Sequence, residues 1–183
     1  MTFLKWTALL VLLLMQAACT SVPDKVTPVQ GFDLSRYLGK WYEVARLDHS
    51  FERGLVDVSA TYSMREDGGV KVVNRGINAE TGEPKEAVGK AYFVGAENVG
   101  RLKVSFFGPF YGGYNIAKLT DDYSMVLVVG PTLDYAWILA RSPKPDPDQC
   151  RAFYDAAKQI GIPESQWIRL IDCGLPATLK TAS

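Results

Sequence analysis

Gly39-Lys40-Trp41-Tyr42-Glu43-Val44-Ala45-Arg46 is the stretch on which the fold turns. Trp41, Tyr42 and Val44 favour a β-strand, and Gly39 can take the bend that admits the chain to it. A tryptophan at the first strand of an all-β run is costly to leave in water. Its ring buries a large apolar area and its indole N–H needs an acceptor. Trp41 is therefore expected to plug the floor of a β-barrel.

The segments after it alternate and are punctuated by turn residues. Val58, Ala60 and Tyr62 alternate with Asp57, Ser59, Thr61 and Ser63 between Leu55 and Arg65. Asp67-Gly68-Gly69 is a hairpin signal. Val70 to Asn78 follows, then a turn at Thr81-Gly82-Glu83-Pro84, then Glu86 to Val94. Arg101 to Phe107, Gly112 to Thr120, Tyr123 to Gly130 and Asp134 to Arg141 complete the set. Short strands joined by hairpins argue for a closed up-and-down barrel or a sandwich. Eight antiparallel strands can close on themselves, which removes exposed edges and leaves an interior filled by side chains or holding one small ligand. The fold class is all-β, an eight-stranded antiparallel barrel. Small inward residues, Ala60, Gly89 and Ala91, leave room among Tyr62, Phe93 and Phe106 and favour a cavity.

Before the first strand, Asp33 is placed to cap a short helical turn carrying Leu34, Tyr37 and Leu38. After the last, Pro143-Lys144-Pro145-Asp146-Pro147 is a rigid break. Phe153, Ala156, Ala157 and Ile160 then recur at helical spacing, which predicts an amphipathic C-terminal helix ending near Gly161. It would pack outside the barrel, with a short strand from Trp167 to Ile171 behind it.

Residues 1–18 read as a secretory signal: Lys5, an apolar run from Ala8 to Met15, then small residues. That run is too short for a stable bilayer span. Leu14-Met15-Gln16-Ala17-Ala18-Cys19 resembles a bacterial lipoprotein box, with Gln16 where the box usually carries Leu, Val or Ile. The resemblance implies acylation of Cys19 as the new N-terminus. Thr20, in place of the aspartate that retains such proteins in the inner membrane, implies the outer membrane. Residues 19–30, rich in Pro, Ser, Thr and charge, are expected to be the lipidated end and a tether. The domain would run from 31 to 175, leaving 176–183 as a tail. With Cys19 acylated, Cys150 and Cys173 form an even pair in an oxidising compartment, expected as a disulfide, with two free buried thiols as the alternative.

The totals exclude several functions. Twenty basic and twenty acidic residues give no basic field for nucleic acid. A single histidine, His49, leaves no multi-histidine metal site. No Ser-His-Asp order, phosphate loop or metal spacing is present, and no catalytic residue is nominated. Asp121-Asp122 reads as a turn.

Gly31-Phe32-Asp33 through Arg46 is similar to the opening motif of the lipocalins. Thr120-Asp121-Asp122-Tyr123 resembles their second motif, with one residue inserted or substituted, and Trp137-Ile138-Leu139-Ala140-Arg141 their third. Asp48 to Leu55 and Val104 to Asn115 look closest to the bacterial outer-membrane subgroup, itself related to apolipoprotein D and plant temperature-induced lipocalins. The resemblance implies that Trp41 and Arg141 meet at the closed end as structural residues; Gly39, at the bend, is nominated as structural too. It places the Asp48–Leu55 loop at the open mouth. It implies small apolar ligands, fatty acids or lysophospholipids, no cofactor, and a domain facing the periplasm from the outer membrane; homodimerisation stays open.

Strand parity nominates Val58, Ala60, Tyr62, Val72, Asn74, Ala91, Phe93, Val104, Phe106, Tyr114 and Trp137 as ligand contacts, with plain core filling as the alternative for each. No basic residue reads as clearly interior: Arg46, Arg53, Arg75 and Lys90 are expected at a solvated rim. His49, tempting as a haem ligand, reads as a surface or hydrogen-bonded loop residue. Two other functions stay open: a lipid- or pigment-modifying enzyme on the same scaffold, and a structural envelope lipoprotein with a filled barrel.

Overall fold

The computed structural model describes residues 20–175, so the signal, Cys19 and the 176–183 tail lie outside the described residues. Asp33 caps the four-residue helix α1, Leu34–Tyr37, by accepting from the Ser35 N–H at 2.8 Å. The strands follow: β1 Gly39–Arg46, β2 Leu55–Met64, β3 Val70–Asn78, β4 Pro84–Phe93, β5 Arg101–Ser105, β6 Gly112–Leu119, β7 Met125–Val129 and β8 Ala136–Ala140. Each pairs antiparallel with the next, and β1 pairs with both β2 and β8. The sheet is therefore a closed eight-stranded barrel.

Two cores lie on the two sides of this wall. Inside are Trp41, Tyr37, Tyr62, Val70, Val72, Ala91, Leu102, Ile116, Val126, Val128 and Leu139. Outside, helix α2 (Pro147–Gln159) lays Cys150, Phe153, Tyr154 and Ala157 on Val44, Ala45, Met125, Leu127, Val129 and Ile138. Strand β7 is thus buried on both faces. This is why Met125-Val126-Leu127-Val128-Val129 is a continuous apolar run rather than an alternating one. A short strand β9, Ile168–Arg169, adds to the edge of β1. It is shorter than the strand expected there. Cys150 and Cys173 are joined by a disulfide, outside the barrel.

The stretch from Thr20 to Gln30 is not a free tether. Ser21 Oγ donates to Pro131 O at 3.0 Å, Asn115 Nδ2 donates to Ser21 O, and Val26 is buried in the outer core. The Val29 N–H donates to Ile116 O, and Gln30 bridges to Val99. The Pro and Ser content suggested a spacer, but Val22 and Val26, four residues apart, give the segment a face that packs on the wall.

Candidate functional site: the barrel lumen and its mouth

One end of the barrel is sealed. α1 crosses it, and Arg141 clamps it by donating to the carbonyls of Lys40, Arg36 and Leu38 at 2.9, 2.7 and 2.8 Å. Its guanidinium lies 4.0 Å over the Trp41 ring, and the indole N–H donates to Tyr37 O. Gly39, at φ +96°, sits where an added Cβ would be 3.2 Å from Arg141 Nη1. At the other end the strands are joined by the 47–54, 79–83, 106–111 and 130–135 loops, and this end is the mouth.

The strand registers place nine of the parity-nominated residues on the inward face; Val58 falls in the β2 irregularity between Val56 and Ser59, and Phe106 follows the end of β5. Trp41 faces Ala60; Tyr62 faces Val72; Asn74 follows two residues on; Ala91 faces Val104. Leu102 faces Tyr114, and Val128 faces Trp137. Five of the eleven, Tyr62, Val72, Ala91, Val104 and Tyr114, surround one void together with Leu34, Tyr37, Val70 and Leu102. The others do not reach it. Phe93 packs on Phe32 at 6.1 Å between ring centroids, Trp137 lies below the mouth, and Val58 packs over Gly76.

The void is small. Its volume is about 10 Å³, room for about one water. The space expected from Ala60, Gly89 and Ala91 is taken up. A Cβ added to Gly89 would stand 2.8 Å from the Phe106 ring, so Phe106 occupies the gap that the glycine leaves. Three phenols fill the centre: Tyr114 shares hydrogen bonds with Tyr37 at 2.6 Å and with Tyr62 at 2.8 Å. Burial pushes Tyr62 up to about 12 and raises Tyr37 and Tyr114 well above their ordinary value, so all three stay protonated. A shallower groove of about 360 Å³ lies at the sealed end, lined by Phe32, Asp33, Leu34, Ser35, Phe93, Glu97 and Asn98.

Below the mouth is a polar cluster that the sequence reading missed. Arg46, expected at a solvated rim, is 2% exposed. A register shift between Glu43 and Ala45 turns both Glu43 and Arg46 inward, where Arg46 Nη1 meets Glu43 Oε1 at 2.8 Å. Arg46 Nη2 also donates to the carbonyls of Glu52 and Leu55, tying the mouth loop to the wall. Glu52 in turn accepts from Trp137 Nε1 at 3.0 Å. Burial, added to by the Glu52 carboxylate, pushes Glu43 up to about 8 against the pull of Arg46; burial raises Glu52 too. Burial thus favours a protonated Glu43 beside the Arg46 guanidinium. No residue in Glu43-Val44-Ala45-Arg46 signals the shift that brings the pair together.

His49 is also buried rather than at the surface, stacked between Phe51 and Tyr135 at 5.3 and 5.2 Å and tilted against Trp137. Burial lowers it to about 4, so it is neutral. Arg53 and Arg75 are at the surface, paired with Asp48 and Glu86. Asp121 and Asp122 form an exposed turn in which Asp122 accepts from Ser124. No group of three or more metal-ligating side chains occurs among the described residues.

Comparison with known proteins places this geometry in context. A family profile described as lipocalin-like domain matches residues 32–171. The outer membrane lipoprotein Blc of Vibrio cholerae is 51% identical over 151 residues, covering 82% of this chain and 88% of that protein. Blc of Escherichia coli K12 is 50% identical over 153 residues, covering 82% and 86%. Apolipoprotein D of Bos taurus is 34% identical over 129 residues, covering 66% and 67%. Among solved structures, insecticyanin from the tobacco hornworm Manduca sexta superposes with a TM-score of 0.65 at 18% identity, over 89% of this chain and 94% of that one, a likeness of fold.

Proposed function

The chain belongs to the lipocalin family, and on that premise we propose that it is a lipid-anchored outer-membrane lipocalin that binds single-chain lipids in its lumen. Fatty acids and lysophospholipids are the ligand classes, held for storage or transport on the periplasmic side. The observation that carries this reading is the asymmetry of the lumen. Side chains from all eight strands line an interior that is apolar apart from the tyrosine triad and the Glu43–Arg46–Glu52 cluster; it is sealed at one end by α1 and Arg141 and, among the described residues, crossed by no helix at the other. A chain entering at the mouth would exchange water for apolar wall, at about 25 cal/mol per Å² buried, less the cost of ordering it. The ligand contacts would be the parity-nominated residues Val58, Ala60, Tyr62, Val72, Asn74, Ala91, Phe93, Val104, Phe106, Tyr114 and Trp137. Phe106, partly exposed and seated on Gly89, is the ring to be displaced first. Outer-membrane delivery through Cys19 accords with the relatives named outer membrane lipoprotein.

The void of about 10 Å³ favours a second reading, a structural lipoprotein with a filled barrel. Native mass spectrometry of the domain expressed from residue 20 and purified without detergent separates the two. A co-purified fatty acid or lysophospholipid, lost in Phe106→Asp, supports binding. An apo mass that does not shift when such lipids are added rejects binding and leaves the filled barrel.

A further inference from the structure

Among the described residues six large apolar side chains are exposed, and four of them ring the mouth: Phe51, Phe107, Phe110 and Tyr135, exposed by 63, 82, 77 and 40%. They sit on the β1–β2, β5–β6 and β7–β8 loops. The fourth mouth loop, β3–β4, carries Glu80 and Glu83 instead. In the closed strand order the β3–β4 loop lies across the barrel from β7–β8. The mouth therefore has an apolar arc and, opposite it, an acidic lip.

The N-terminal segment meets this arc. Ser21 is bound to Pro131 of the β7–β8 loop, and its carbonyl lies 3.1 Å from where a Cβ on Gly113, at the start of β6, would stand. Arg101 donates to Thr20 O. The chain then runs down the wall to Val29 and Gln30. Cys19 precedes Thr20 by one residue, about 3.8 Å between Cα atoms. The first described residues, Thr20 and Ser21, are thus held against the wall where β5, β6 and the β7–β8 loop come together.

We propose that the apolar arc of the mouth rests on the phospholipid bilayer that holds the acyl anchor, with the β3–β4 lip turned to water. This rests on the acylation of Cys19. Exposed aromatic rings are suited to the interface between headgroups and acyl chains. Lys103, 4.9 Å from the Tyr111 ring beside this arc, is placed to meet lipid phosphates. Lipids would then pass between bilayer and lumen without crossing water.

The test uses the full acylated protein in vesicles of phosphatidylethanolamine and phosphatidylglycerol. Bimane is attached at Phe110→Cys in one variant and at Thr81→Cys in another, and quenching by brominated phospholipids is read. Flotation with the vesicles reports the anchor independently, so failure of acylation is distinguished from failure of docking. The expected result is several-fold stronger quenching, with a blue shift, at position 110 than at 81. Equal, weak quenching at both positions in floated protein overturns the proposal. Hydrogen exchange on the unlabelled protein is the second measurement: vesicles should protect amides of 106–111 and 131–135 and leave 79–83 unchanged. The same protection in detergent without vesicles, rising with protein concentration, assigns the arc to a second copy of the chain and also overturns it.

Discussion

Glu43 and Arg46 stand three residues apart on one strand, yet their side chains meet at 2.8 Å inside the barrel. In a regular strand they would point to opposite faces. The shift between Glu43 and Ala45 sends Val44 and Ala45 together to the outer core and brings Arg46 in. Arg46 then holds the 47–54 loop through two carbonyls. Arg46→Met should cost about 3–5 kcal/mol, because two carboxyls lose their shared cation in a dry site. Urea unfolding followed by circular dichroism measures it. A loss below about 1 kcal/mol would mean that water reaches the cluster.

The same cluster sets a pH dependence. Glu43 titrates at 4.5 when free and about 8 in the fold, so the folded state keeps a proton that the unfolded chain has released. Its contribution is complete below pH 4.5 and is lost as pH rises to about 8. His49, lowered to about 4, acts in the opposite sense between 4 and 6.5. The clean window is therefore pH 6.5 to 8, where stability should fall by up to about 1.4 kcal/mol per pH unit. Glu43→Gln mimics the protonated acid. It should change stability little at pH 6.5 and flatten this slope. A slope identical in wild type and variant would remove Glu43 as its source.

What the sequence made legible follows from period and bulk. Trp41 and the alternating strands disclosed the barrel, and the return to helical spacing after Pro147 disclosed the outer helix. Parity grouped Tyr62, Val72, Ala91, Val104 and Tyr114, which come together around one void. Arg46 was hidden because nothing at Val44-Ala45, neither Gly nor Pro, marks the shift. The size of the void was hidden for another reason. Small residues such as Gly89 show where space could be, but whether Phe106 lies in it is a matter of packing between strands. The wall-bound course of Thr20 to Gln30 was masked by a composition that suits a spacer.

Arg141 makes three short hydrogen bonds to backbone carbonyls besides its stacking on Trp41. A lysine keeps the charge but cannot reproduce the planar fork. Arg141→Lys should cost about 2 kcal/mol, combining the loss of stacking with two of the charged hydrogen bonds. Gly39→Ala should cost a similar 1–3 kcal/mol, from the positive φ and the crowding of Arg141. Thermal unfolding of both variants tests the pair. Ligand affinity should be unchanged in each, since this end is sealed.

The Cys150–Cys173 disulfide closes a loop with a sequence separation of 23 and ties helix α2 to the segment after β9. Chain entropy predicts that opening it costs about 3 kcal/mol. Cys150→Ser with Cys173→Ser should lower the midpoint of thermal unfolding by several degrees. The barrel should persist in far-ultraviolet circular dichroism, because the closed sheet does not depend on the loop. Equal midpoints with and without reductant in the wild type would show that the packing of Phe153, Tyr154 and Trp167 holds the helix unaided.

Tyr114 bridges Tyr37 and Tyr62, and the three hydroxyls satisfy one another in the apolar centre of the lumen. Removing only the bridge leaves two buried hydroxyls without it. Tyr114→Phe should therefore cost about 1–3 kcal/mol. Removing all three hydroxyls leaves none to satisfy, so the triple change to phenylalanine should lie within about 1 kcal/mol of wild type. Urea unfolding of the two variants, side by side, reads this non-additivity. The triple variant also tests the proposed ligand site. With the polar centre gone, a long apolar chain can lie against Val72, Ala91 and Leu102 without displacing hydrogen bonds. Displacement of a fluorescent fatty acid by palmitate should then report several-fold tighter binding than in wild type. Unchanged affinity would place the bound chain nearer the mouth, above the three tyrosines.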